Sequence, residues 1–234
     1  MTNCLNCETS YKGNFCPECG QKSTVEKITF SFLVNDFVSR FMDIDKGMLF
    51  NLQYLTTSPK KTVFDYIHGK RKNVFNPVSY ALIATSLNLI IISLFEMHWV
   101  DTSKFENFEG ELYSNSYEAG KFIGTYIKFF WLLNIVFLSL FSRLFFKTFS
   151  FLEHITINCF IVGHATLLGI LSYTILRFPV VFDPVVFVYI ILLSFMIFQK
   201  KGERFETIIA STFSVFFSYL LFYIIPFIIV FLTK

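Results

Sequence analysis

Charge is scarce in this chain. Lys, Arg, Asp and Glu make up 16% of the 234 residues, against about 25% in an average soluble protein. With 54% hydrophobic residues and a mean hydropathy of +0.56, that scarcity excludes an ordinary water-soluble domain and makes a membrane protein the working class. Signature motifs of common enzymes are missing too. There is no GxxxxGK[ST] loop to cradle phosphates, no HExxH pair for zinc hydrolysis and no GxSxG nucleophile elbow. Nor does the chain open on a secretory signal, since a cysteine motif and ten Lys/Arg precede the first long apolar run. The amino-terminal part is therefore expected to stay on the synthesising side. The apolar runs carry no central carboxylate, which counts against a proton or ion pathway lined by acids. Phenylalanine, at 33 residues, is abundant and suits a lipid-facing surface.

What is present divides into three parts: residues 1–24, 25–73 and 74–234. A bilayer crossing takes about 20 apolar residues, and five stretches meet or approach that length, at about 74–95, 122–146, 155–176, 180–198 and 208–232. The fourth is the shortest, because Asp183-Pro184 falls inside its start and proline suits a first helical position. Lys and Arg collect on the cytoplasmic side of membrane proteins. Here they lie before the first run, between the second and third (Arg143, Lys147), and between the fourth and fifth (Lys200, Lys201, Arg204). The 96–121 segment instead holds six acids and two lysines. The alternation predicts five spans, a cytoplasmic amino terminus and an external carboxyl terminus. The expected fold is thus an all-α polytopic membrane protein with a small amino-terminal ribbon and amphipathic helices at the interface.

The amphipathic segment is read from Phe30, Leu33, Val34, Phe37 and Phe41 at helical spacing, followed by an interruption at 43–47. Met48, Leu49, Leu52 and Leu55 mark a second short helix, and Pro59 opens a third that stops at Gly69. These helices either lie among the headgroups or pack as ordinary core on the ends of the spans. Lys70, Arg71 and Lys72 follow, just before Asn76-Pro77 opens the first span, and are candidates for binding anionic headgroups.

Cys4, Cys7, Cys16 and Cys19 form two CxxC turns eight residues apart. That spacing gathers four thiolates into the tetrahedral cage zinc favours, with no position left for water, so the site is read as structural. Gly20 closes the second turn where the chain must fold back, whereas Glu8 stands at the matching place of the first. Iron in the same cage, or disulfide and redox chemistry, are the alternatives; a reducing compartment disfavours disulfides. Lys12 and Lys22 are balanced by Glu8 and Glu18, so no basic patch points to nucleic acid. Cys159, alone in an apolar run, reads as a packing residue.

Inside the spans, His164 with Asn158, Asn88 and Asn134 are the polar candidates, either for interhelical hydrogen bonding or for a functional site at His164. Thr207, Ser211, Ser214 and Ser218, and the Ala165/Gly169 pair, are small-residue faces that permit close helix contact, within one bundle or between copies. Pro226 is expected to bend or break the last helix.

The order CxxC…CPECGQK, amphipathic segment, then TTSPKKTVFDYIHGKRKNVFNPVSYALI resembles the bacterial zinc-ribbon membrane proteins called domain of unknown function 3667, over about residues 4–95. The resemblance implies a bacterial cytoplasmic (inner) membrane protein with a cytoplasmic zinc ribbon, and it supplies no activity, since the family is itself functionally unassigned. The leading expectation is a non-enzymatic adaptor or assembly platform, meeting anionic lipid, a cytoplasmic partner protein or a second copy. A small transporter or channel subunit using His164, or a lipid-handling enzyme holding a headgroup at its basic rim, are the alternatives.

Overall fold

A computed structural model describes residues 2–25, 27–40, 44–95, 126–200 and 202–232. The acidic 96–121 segment, the first four residues of the expected second span, and Phe41, Asp43, Lys201 and Lys234 lie outside the described residues.

A two-stranded antiparallel ribbon comes first, β1 (Thr2–Asn3) and β2 (Ser10–Tyr11), with Thr2 opposite Tyr11 and Asn3 opposite Ser10. Three short helices follow: α1 (Phe30–Arg40), α2 (Ile44–Thr57) and α3 (Pro59–Ile67). Then come α4 (Pro77–Leu94), a 3-10 turn at Ile127–Phe130, α5 (Leu133–Phe145), α6 (Phe151–Leu176), α7 (Pro184–Phe198) and α8 (Arg204–Leu232). Three of these, α4, α6 and α8, are long and apolar enough to cross a membrane; α5 and α7 are apolar but only 13 and 15 residues long. This is a mostly helical membrane protein.

Proline sets three helix starts, at Pro59, Pro77 and Pro184. At α4 and α7 the preceding residue supplies the cap: Asn76 accepts from the Val78 and Ser79 amides, and Asp183 from those of Val185 and Val186. The first span therefore opens at Pro77, three residues later than its apolar run suggests. α6 begins earlier than expected, at Phe151. Ser150 accepts from the Glu153 amide, and the Glu153 carboxylate accepts from the Ser150 amide at 2.7 Å, a closed capping box. α8 likewise starts at Arg204 and continues in helical form through Pro226. A proline does remove one backbone bond, but no break follows here.

α6 is the spine of the molecule. It packs most extensively along α4, and also against α5, α7 and the short helices; α8 lies on α5 and α7. α4 comes nearest at Gly163, where an added Cβ would stand 3.0 Å from the Ala81 Cα. Gly169 gives the same room to Val186 and Val180. The hydroxyl stripe on α8 is spent inside the chain: Thr207, Ser211, Ser214 and Ser218 are all buried by its own neighbours.

The short helices share one continuous apolar core with the long ones, through Leu33, Leu55, Val63 and Tyr66. Phe64 meets Phe149 edge-on at 5.3 Å, Tyr66 meets Phe160 at 5.4 Å, and Lys60 Nζ donates to the Gln199 carbonyl at the end of α7. The inner faces of α1 to α3 are thus protein core, while Phe30, Leu49 and Leu52 stay exposed on the outside. The expected interruption at 43–47 is narrower than predicted, because Ile44 to Gly47 belong to α2. Gly47 is tolerated mid-helix since it faces Phe75, whose Cβ would lie 3.1 Å from any Cβ placed there.

Candidate metal centre and its docking seam

Two short knuckles of matching form build the cysteine cage. In the first, the Cys4 amide bonds to the Thr9 carbonyl and the Glu8 amide to the Cys4 carbonyl, both at 2.9 Å. In the second, Cys16 bonds to the Gln21 carbonyl and Gly20 to Cys16, both at 2.8 Å. Each knuckle needs a left-handed residue four places after its first cysteine, Glu8 at φ 65° and Gly20 at φ 71°. Glycine takes that conformation without penalty, whereas a residue bearing a Cβ does not.

The four sulfurs lie within 4.8 Å of one another, with Cys4–Cys19 and Cys7–Cys16 each at 3.5 Å. Tetrahedral zinc with bonds of about 2.3 Å would space its sulfurs about 3.8 Å apart, so the cluster has the dimensions of a four-thiolate metal site. Cys4 and Cys16 are buried, Cys19 half-buried and Cys7 exposed. The Cys7 thiol is held down to about 6, chiefly by the Thr9 side chain and then its backbone hydrogen bond. Burial pushes Cys19 up to about 12. Tyr11 packs on Cys4 and Cys16, and burial first, then the nearby sulfurs, raises its phenol. Metal binding must strip protons from these thiols.

Gln21 hydrogen-bonds this knuckle to the loop that follows α3. Gln21, 6% exposed, donates Nε2 to the Gly69 carbonyl at 3.0 Å and accepts from the Arg71 amide at 3.2 Å. Asn51 on α2 repeats the device at a site four residues beyond Arg71: Nδ2 donates to the Phe75 carbonyl and Oδ1 accepts from the Phe75 amide, each at 3.1 Å. Asn76 caps α4 with its oxygen and donates Nδ2 to Asp36 on α1 at 2.7 Å. Three amide side chains from three elements thereby hold the 69–76 loop.

The three cations read as a headgroup rim lie on that loop, each differently placed. Arg71 is buried, its Nε donating to the Tyr66 carbonyl at 3.0 Å and its guanidinium lying 4.3 Å from the Phe32 ring centre. Lys70 is partly exposed and reaches Asp65 at 3.7 Å. Lys72 turns toward the ribbon, with Nζ 3.4 Å from where a Gly20 Cβ would stand.

Of the polar residues within the bundle, His164 sits where four helices, α2, α4, α6 and α7, meet. The Thr56 hydroxyl donates to the Leu52 carbonyl at 2.7 Å, so at 3.1 Å it accepts from His164 Nε2; Nδ1 then accepts from the Tyr80 hydroxyl at 2.8 Å. Both ring nitrogens are engaged, and Tyr189 flanks the ring at 5.9 Å. Asn158 donates to Ser139 and Ser142, at 3.0 and 3.1 Å, linking α6 to α5. Ser142 also lies 2.9 Å from Nδ1 of His154, whose Nε2 donates to the Phe146 carbonyl. Asn88 and Asn134 join neither cluster. Both amide atoms of Asn134 and the Asn88 nitrogen are buried without a hydrogen-bond partner among the described residues.

Gln21 and Asn51 are side chains that the sequence reading does not single out. A glutamine beside a cysteine knuckle has no periodic or compositional mark, and its partners lie 48 and 50 residues away. His154 stands beside Glu153 at a helix start, and only the capping box could have shown that it enters the bundle. Comparison of the chain with family models, with curated proteins and with solved structures returns no match.

Proposed function

We propose that this chain is a multi-pass protein of the bacterial inner membrane, related to the family it resembles, and that it works as a non-enzymatic adaptor or assembly platform. Its structural zinc is held by Cys4, Cys7, Cys16 and Cys19. The observation that carries the reading is the Gln21 clamp, which makes the cysteine knuckle one body with the loop that opens α4. A knuckle tied down through buried hydrogen bonds is a fixed cap, suited to presenting a constant surface to a partner protein. The sulfur spacing supports zinc, and Lys72 beside Gly20 sets a cation near a cage that four thiolates would leave net negative.

The orientation has support of its own. The short helices, the α5–α6 turn and the end of α7 gather at one end of the bundle, and Lys60, Arg143, Lys147 and Lys200 lie there. Positive residues on the cytoplasmic side put the ribbon inside the cell. With the 3-10 turn leading into α5, and α7 kept short, five crossings fit a bilayer that thins locally around them. The exposed outer faces of α1 and α2 then meet the headgroups. Transport through His164 is less favoured, because both of its nitrogens already serve interhelical bonds.

Crosslinking in native membranes, followed by purification with and without residues 2–24, tests this directly. The adaptor reading expects partner proteins that vanish with the ribbon. An unchanged partner set together with unchanged stability would remove its support.

A further inference from the structure

At the end of the bundle near the short helices, a groove of about 650 Å³ opens between the last turn of α5 and the first of α6. Its walls are Leu140, Leu144, Phe149 and Phe151, and Arg143 and Lys147 stand among them. Leu140 and Leu144 are 53% and 62% exposed, so the apolar wall faces outward rather than into the core. Neither cation has an ion-pair partner among the described residues. The one carboxylate on the adjoining turn, Glu153, is committed to the Ser150 amide.

We propose that this groove is a binding site for one anionic glycerophospholipid, with the phosphate between Arg143 and Lys147 and an acyl chain along Leu140 and Leu144. Charge complementarity selects the occupant. Two unpaired cations at the rim of an apolar channel match a molecule with a phosphate at one end and hydrocarbon at the other, and a peptide or a free anion would use only half of the surface. Arginine gives a planar fork for phosphate oxygens and lysine a mobile point charge, and together they favour a net-anionic headgroup over one whose own ammonium offsets the phosphate. The cations of the 70–72 turn are in contrast engaged within the protein, Arg71 over aromatic rings and Lys70 with Asp65. This site does not depend on what the ribbon binds.

Native mass spectrometry of the full chain in detergent, titrated with phosphatidylglycerol or with zwitterionic phosphatidylethanolamine, tests it. The wild type should retain one phosphatidylglycerol in preference to phosphatidylethanolamine. R143Q/K147Q should weaken that adduct about thirtyfold, and R143K/K147R should keep it. Glycerol phosphate, which lacks the chains, should not compete at equal concentration. A preference that survives R143Q/K147Q, or is missing from the wild type, overturns the site; effective competition by glycerol phosphate overturns the lipid as its occupant. Both positions are exposed, so the charge-preserving variant and an unchanged metal content serve to separate lost binding from lost folding.

Discussion

The seam between ribbon and bundle satisfies its buried amides, whereas the interior of the bundle satisfies only some of its buried polar groups. In the seam, Gln21, Asn51 and Asn76 are buried and each spends its amide on a backbone pair, a cap or a carboxylate. Deeper in, Asn134, one oxygen of Asp183, and the hydroxyls of Ser194, Ser211 and Tyr219 are buried without partners among the described residues. An unpaired buried polar atom costs about 1–3 kcal/mol, whereas a satisfied one is near neutral. Directional bonds therefore fix how the seam docks. The bundle interior keeps bonded clusters around His164 and Asn158 and elsewhere relies on shape, on glycines at close approaches and on aromatic contacts such as Trp131 with Tyr219 and Phe222.

The largest break in this comparison should come from the metal. Structural zinc contributes on the order of 10 kcal/mol to small ribbons. Cys16→Ser should thus abolish stoichiometric zinc by elemental analysis and erase hydrogen-exchange protection over residues 2–24, while α6 stays protected. Collapse of protection in α6 as well would mean the two regions are not separable. Next, Asn51→Leu strips both partners from the Phe75 backbone and should cost about 2–4 kcal/mol, read as a lower unfolding midpoint in detergent. Asn134→Leu tests the other side. It replaces an unpartnered amide by an apolar group of similar volume and should be neutral or stabilising by about 1 kcal/mol. If it destabilises as much as Asn51→Leu, Asn134 has a partner and the contrast fails. The smallest effect belongs to the first knuckle. Glu8→Gly relieves a left-handed residue and should gain about 1 kcal/mol, seen as slower zinc transfer to a chelator.

What could be read from the sequence follows from how local each signal is. Cysteine spacing, the prolines at 59, 77 and 184, and the left-handed demand at Gly20 are all matters of a few consecutive residues, and the structure places the cage, those three helix starts and that turn accordingly. Helix boundaries were harder because an apolar run measures where lipid could lie rather than where hydrogen bonding stops. α6 and α8 each continue four residues beyond their apolar runs, through Glu153 in one case and Glu206 in the other. The Ser150–Glu153 box was present to be read, and hydropathy outweighed it. The seam was illegible for another reason: Gln21, Gly69 and Arg71 are joined only by tertiary structure, and nothing in their neighbourhoods distinguishes them from solvent-facing residues.

Because Gln21 grips main-chain atoms, the docking loop has an uneven tolerance for change. Lys70 offers nothing to the clamp and could be exchanged freely without loosening the cap. Gly69 could not. It sits at φ 100°, and a Cβ there would meet Val25 at 2.8 Å and Leu5 at 3.1 Å. A saturation library across 69–72, sorted for retained zinc, would therefore leave a single-letter column at 69 beside a varied one at 70, a pattern that tells a backbone-read joint from one read through side chains.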